Sequence, residues 1–168
     1  MVSIPAVCDN CGRMFPSGLG MSGNARVFVY GSKSGPCPYC GSMGSIPDGL
    51  YRDIDNVINY IADSNYSLEE LVKLRNMLLY GFNENVNFQE LTEETEKNGF
   101  SISDLLPQNR EEARSDIFSI IQIILAVLGI LIPLLMSNRE SANVEINKEK
   151  VIEYIYNNPE EFKRMDDK

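Results

Sequence analysis

The chain has 168 residues, a formal net charge of −9, four cysteines and no histidine or tryptophan. The acidic balance argues against nucleic acid as a partner of the whole chain. The missing histidine removes the commonest general base, the Ser-His triads and every His-containing zinc site.

The cysteines fall in two matched pairs near the start, Cys8-Asp9-Asn10-Cys11 and Cys37-Pro38-Tyr39-Cys40, each followed at once by a glycine, Gly12 and Gly41. A C-x2-C turn sets two sulfurs on one side of a tight knuckle, and the following glycine can take the positive φ that aims backbone N–H groups at them. Two knuckles supply four thiolates in a closed shell, so Cys8, Cys11, Cys37 and Cys40 are expected to hold a structural metal ion. Two disulfides would use the same count. However, close pairing within each half and the lack of a signal-peptide pattern in Met1-Val-Ser-Ile-Pro5 favour metal. Zinc is the expected ion and iron the alternative, since a tetrahedral four-sulfur site suits both. Between the knuckles, Ala25-Arg-Val-Phe-Val-Tyr30 alternates in the manner of a strand. Gly18, Gly20 and Gly23 before it, and Gly31 and Gly35 after it, are expected to supply turns. So small a unit cannot fold on hydrophobic burial alone and should depend on its metal.

Residues 5–48 resemble zinc ribbons and, equally, the knuckles of rubredoxin. The second resemblance implies an iron centre that carries one electron. Rubredoxins are built around an aromatic core that usually includes Trp, which is absent here, and zinc is preferred on that ground.

From Asp53 to Asp116 the composition turns acidic, with fourteen acidic and five basic side chains. Ile54, Val57, Ile58 and Ile61 follow helical spacing. Ser67-Leu-Glu-Glu70 is a capping box opening a second helix, with Leu68, Leu71, Leu74 and Leu78 along one side. Asn87-Phe-Gln-Glu90 starts a third, ending near Gly99. Its acidic run, Glu90 to Glu96, is read as a solvated face. Leu105-Leu-Pro107 breaks the pattern, and residues 108–116 are expected to resume as helix.

Residues 117–136 then run for twenty positions without a charge. Twenty residues of helix span about 30 Å, the thickness of a bilayer's hydrocarbon, so a single transmembrane helix is expected. The alternative is a buried helix, disfavoured because so short a chain has little else to cover every face. Basic residues balance across the segment, with Lys97, Arg110 and Arg114 on one side and Arg139, Lys148 and Lys150 on the other. Orientation therefore rests on the thiolates. They need a reducing compartment, which places the N-terminal part in the cytosol and the segment after Met136 outside. Ser119, Gln122, Ala126, Gly129 and Pro133 share an arc of about 80° on this helix and form a candidate self-association stripe. Beyond it, Glu149 to Tyr156 reads as a short amphipathic helix with Val151, Ile152 and Ile155 apolar, halted before Pro159. It is expected to lie on the membrane surface or against a partner.

The fold expectation is a small α+β chain. A zinc-ribbon β-hairpin (1–50) leads to an acidic helical connector (51–116), one transmembrane helix (117–136) and a tail (137–168). This layout resembles small bacterial membrane proteins that begin with a C-x2-C-G and C-P-x-C-G ribbon, a resemblance that implies architecture and no activity. With neither a catalytic constellation nor a phosphate loop, the expected function is non-enzymatic. A single-pass, oligomeric adaptor or sensor would recognise an unidentified cytosolic protein, with Arg13, Arg26, Phe28, Lys33 and Tyr39 as candidate contacts. The alternatives are a membrane-permeabilising effector of toxin or phage-defence type, restrained by its cytosolic part, and a rubredoxin-like electron carrier tethered to the bilayer.

Overall fold

In the computed structural model, residues 2–21, 29–46, 49–84, 86–105, 113–137 and 146–158 are described, with Val2, Met21, Leu50, Tyr51 and the stretch 113–119 by backbone only. Four strands, β1 (Val2–Cys8), β2 (Met14–Met21), β3 (Lys33–Ser34) and β4 (Gly44–Ser45), precede five α-helices. These are α1 (Leu50–Asp63), α2 (Leu68–Asn83), α3 (Phe88–Lys97), α4 (Ala113–Ser137) and α5 (Lys148–Asn157), with a short 3-10 helix at Ile102–Leu105.

The strands form one antiparallel sheet in the order β2-β1-β4-β3. Its main hairpin is β1–β2, folded over the first cysteine pair. Residues 25–28 of the anticipated strand lie outside the described residues, while Val29 and Tyr30 are irregular. Gly18 and Gly20, expected in turns, belong to β2. The register slips between Ser3 and Pro5, where Gly18 takes φ +82° and donates its N–H to Ser3 Oγ at 3.1 Å. Pro5 stands opposite Pro16. Neither ring nitrogen can donate, so the ladder is broken there and a bulge absorbs the extra residues.

The connector helices follow the expected pattern. Ile54, Val57 and Ile61 of α1 are buried. Ser67 caps α2 with both bonds of the capping box, its Oγ accepting from the Glu70 N–H and the Glu70 carboxylate accepting from the Ser67 N–H. Leu71, Leu74 and Leu78 turn inward. Asn87 caps α3, which ends in a Schellman motif. Gly99 takes φ +89°, its N–H reaches the Glu96 carbonyl, and the Phe100 N–H reaches the Thr95 carbonyl. That turn sends the Phe100 ring into the core, 5.2 Å edge-on from Tyr66.

The centre of the structure is α4. It is long and apolar enough to cross a membrane, yet 61% of its most apolar 18-residue window is buried within the chain itself. Every residue from Ile120 to Gly129 is buried, around the full helical circumference. α1 and α2 pack on α4, and α5 packs on it as well. The cover is therefore supplied by the very helices whose apolar faces the spacing exposes, which answers the objection that so short a chain lacks one. Burial fades toward the C-terminal end, where Pro133 and Met136 are exposed and Leu134 and Leu135 half-buried.

The tail helix is not at a distance. Val151, Ile152 and Ile155 are fully buried, against expectations of a membrane surface or a foreign partner, because α5 packs on α4, α1, β1 and β2. Tyr156 Oη donates to the Ser3 carbonyl at 2.7 Å, and Lys148 pairs with Asp55 of α1 at 3.0 Å. The segment after α4 thus lies on the same side of that helix as the first strand.

The α4–α5 contact is tightest at Gly129, where an added Cβ would stand 2.6 Å from the Tyr154 ring. Gly129→Leu should therefore lower stability by about 1–3 kcal/mol through overpacking, despite its better helix propensity. Adding Tyr154→Ala to Gly129→Leu should recover part of that loss. Denaturant unfolding of the two variants and the wild type measures both effects.

Candidate metal centre

Cys8 closes β1, where its strand position sets it opposite Gly44 of β4. Both strands are needed to bring the second knuckle to the first. Gly44 is itself constrained, since a Cβ there would meet the Val7 carbonyl and the Phe15 ring at 2.7 Å. Backbone bonds then stitch the two turns. The Cys8 N–H reaches the Arg13 carbonyl, the Asp9 N–H reaches Met43, and the Cys37 N–H reaches Ser42. Within the turns, the Gly12 N–H returns to the Cys8 carbonyl and the Gly41 N–H to the Cys37 carbonyl. Gly12 and Gly41 take φ +68° and +77°, the left-handed conformation expected of them.

The result places Cys8, Cys11, Cys37 and Cys40 with their four sulfurs within 4.8 Å of one another. Cys8 lies 3.4 Å from Cys40 and Cys11 lies 3.8 Å from Cys37, so the close pairs run between the knuckles. Bonds of about 2.3 Å from a central zinc give a tetrahedron with edges of roughly 3.8 Å, and these separations fit it. They are far beyond a disulfide's length of about 2.05 Å, and all four cysteines are free. The set is placed to hold one metal ion and offers four identical soft ligands.

The ligand shell is braced from outside. Lys33 Nζ donates to Asp9 Oδ2 and to Ser45 Oγ, and Ser45 Oγ donates to Asp9 Oδ1, all at 2.7 Å. This closed triangle links the first knuckle to β3 and β4. The Arg13 guanidinium lies 4.8 Å from the centre of the Tyr39 ring, so the residue after one knuckle covers a residue inside the other. Of the expected protein contacts, Arg13, Lys33 and Tyr39 are thus engaged in holding the knuckles together, although Tyr39 stays partly exposed. Arg26 and Phe28 lie outside the described residues. The Asp9–Lys33–Ser45 triangle joins residues far apart in sequence. Its only sequence signal is the aspartate beside Cys8.

Without an ion the sulfurs divide. Hydrogen bonds from the Ser42 N–H and hydroxyl, with Cys8 and Asn10 contributing, hold the Cys40 thiol down at about 6. Burial, with the neighbouring sulfurs of Cys8, Cys40 and Cys37, pushes Cys11 up to about 12. Only an ion makes four thiolates together favourable, because it supplies the positive charge the cluster lacks.

The members of the proposed self-association stripe are placed differently. Gln122 and Ala126 are buried inside the chain, Gly129 faces Tyr154 of α5, and Pro133 is exposed, while the Ser119 side chain is outside the described residues. In this conformation Gln122, Ala126 and Gly129 serve packing within one chain.

No family model matches this sequence, and neither a curated protein nor a solved structure matches it.

Cys8→Ser or Cys37→Ser should lose the ion and leave the N-terminal sheet sensitive to protease. Retained metal with an intact sheet would contradict the ligand assignment. Acidification should release the ion as well. Protons compete with the ion for all four thiolates, so binding weakens as the pH falls. Metal release into a chromogenic chelator, followed from pH 8 downward, checks the sign.

Proposed function

We propose that this chain is a non-enzymatic, zinc-ribbon-like protein that keeps a membrane-competent helix sheathed until its N-terminal sheet or α5 is released. One observation carries the reading. α4 has the length and apolarity to span a bilayer, yet the chain's own helices cover it, and the covering helix α5 is fastened to β1, the strand whose far end carries Cys8.

The sheathed and spanning states exclude each other. A spanning α4 with the ribbon in the cytosol would carry α5 to the far side, and α5 could not then bond to Ser3. Opening in water is costly. The buried aliphatics between Ile120 and Leu128 contribute roughly 2 kcal/mol each, so baring most of them costs on the order of 10 kcal/mol. Lipid accepts the same surface without that cost, so opening is favoured only where a bilayer or partner is at hand. The half-exposed apolar end, Leu134 to Met136, is the natural first contact. Zinc is the ion assigned, because it fits a closed four-sulfur shell and the rubredoxin-type aromatic core with Trp is absent. In this reading the adaptor and effector expectations merge: a cytosolic protein partner, or loss of zinc, is the trigger, and helix release into the membrane is the response. Self-association through Gln122, Ala126 and Gly129 would follow only after α5 has left.

Burial of Ile120–Leu128 favours one other reading, a protein that never meets a membrane and uses α4 as its core. Flotation with phospholipid vesicles separates the two. The zinc-loaded chain, prepared without detergent, should stay in the aqueous fraction. Chelated protein, and a Tyr154→Ala/Tyr156→Phe variant with a weakened α5, should float with the vesicles and release an entrapped dye. If none of these preparations associates with vesicles, α4 is a soluble core helix and the proposal falls. Colourless protein with one zinc per chain by elemental analysis fixes the metal, and red protein containing iron would replace it.

A further inference from the structure

α2 carries two apolar stripes, and the fold consumes only one of them. Leu71, Leu74, Leu78 and Phe82 enter the core. On the other side, Val72, Met77 and Tyr80 line an open groove of about 830 Å³ whose opposite wall is α3. Tyr80 is 66% exposed and Val72 36%, large apolar surfaces left in water. The two helices converge at one end, where Gly81 allows the Leu91 side chain to within 2.6 Å of where its Cβ would be. From there the groove follows α2 back to Glu69, a path of about 18 Å at 1.5 Å per residue.

The rim is predominantly acidic. Glu90 and Glu94 are one helical turn apart on α3, and Glu69 stands at the far end of α2, against the single cation Lys73. Among the described residues none of these three carboxylates forms an ion pair, and Lys73 pairs with none of them. A mainly apolar floor of Val72, Met77 and Tyr80, interrupted by Lys73 and Asn76, beneath a mainly acidic rim has the complement of one kind of partner. We infer that this groove docks a basic amphipathic helix of about three turns, its apolar face on Val72, Met77 and Tyr80 and its Lys or Arg side chains against Glu69, Glu90 and Glu94. The inference is independent of whether α4 ever enters a membrane.

Fluorescence anisotropy of the full-length, zinc-loaded chain tests it at 0.15 M salt. The probe is a labelled fourteen-residue Leu/Lys helix, compared with a Leu/Glu helix of the same pattern. The Leu/Lys peptide should bind and the Leu/Glu peptide should not. Glu90→Lys/Glu94→Lys should weaken binding by about tenfold or more, and Tyr80→Ala by about fivefold or more. Asp63→Lys/Glu153→Lys changes net charge equally at exposed sites outside the groove. It should weaken binding by less than about threefold. Glu90→Gln/Glu94→Gln repeats the test with a gentler change, and circular dichroism identifies any variant that fails to fold. Equal losses in the groove and control pairs would mean general charge attraction and overturn the inference. So would an unchanged affinity in Tyr80→Ala. Concentration-dependent dimerisation abolished by Tyr80→Ala would assign the groove to a second copy and overturn it too.

Discussion

An uncharged helix of twenty residues must be surrounded by apolar material along its whole circumference, and that requirement organises this molecule. Water cannot do it, so the chain supplies the cover from three helices otherwise too short to be stable alone. α1 and α2 give their inward stripes, and α5 closes the remaining side. The sheet contributes by anchoring α5, through the Tyr156–Ser3 bond and the contact of α5 with β1 and β2. The metal knuckle fixes the far end of that chain of support. Cys8 ends β1, and the four-sulfur cluster adds to the β1–β4 pairing in joining β1 to the segment carrying β3 and β4.

Much of the helical part is legible in the sequence because its signals are local. The Ser67 capping box, the Asn87 cap and the glycine after α3 sit where the chain begins and ends its turns, and periodic Ile and Leu positions mark the buried faces. The cysteine pairs are equally plain, since each knuckle is a four-residue motif with its glycine attached. The sheet is harder. β2 contains Pro16, Gly18 and Gly20, a composition poor in strand formers, and it is a strand because the first knuckle folds it back onto β1. The alternating run 25–30 has the better strand propensity, yet its described residues, Val29 and Tyr30, are irregular.

Length and apolarity alone cannot tell a helix covered by protein from one covered by lipid, because both environments ask for the same side chains. The difference is carried by other elements: inward stripes on α1 and α2 at the right spacing, and a tail helix whose buried triad, Val151, Ile152 and Ile155, has somewhere to go. The small residues of α4 illustrate the point. Gly129 permits close approach of a neighbour without specifying which, and here the neighbour is a tyrosine of the same chain. Arg13, Lys33 and Tyr39 are similar. Their exposed character suggests a contact surface, and the structure uses them to brace the knuckles.

The bond between Ser3 and Tyr156 joins residues 153 positions apart, and this separation sets an order of events during synthesis. α4 is complete twenty residues before the end of α5, which at a ribosome's pace of about 5–20 residues per second is roughly one to four seconds. Throughout that interval one flank of the greasiest segment has no protein cover. Full cover of α4 therefore waits for α5, and closing that flank is a late packing step of the described fold.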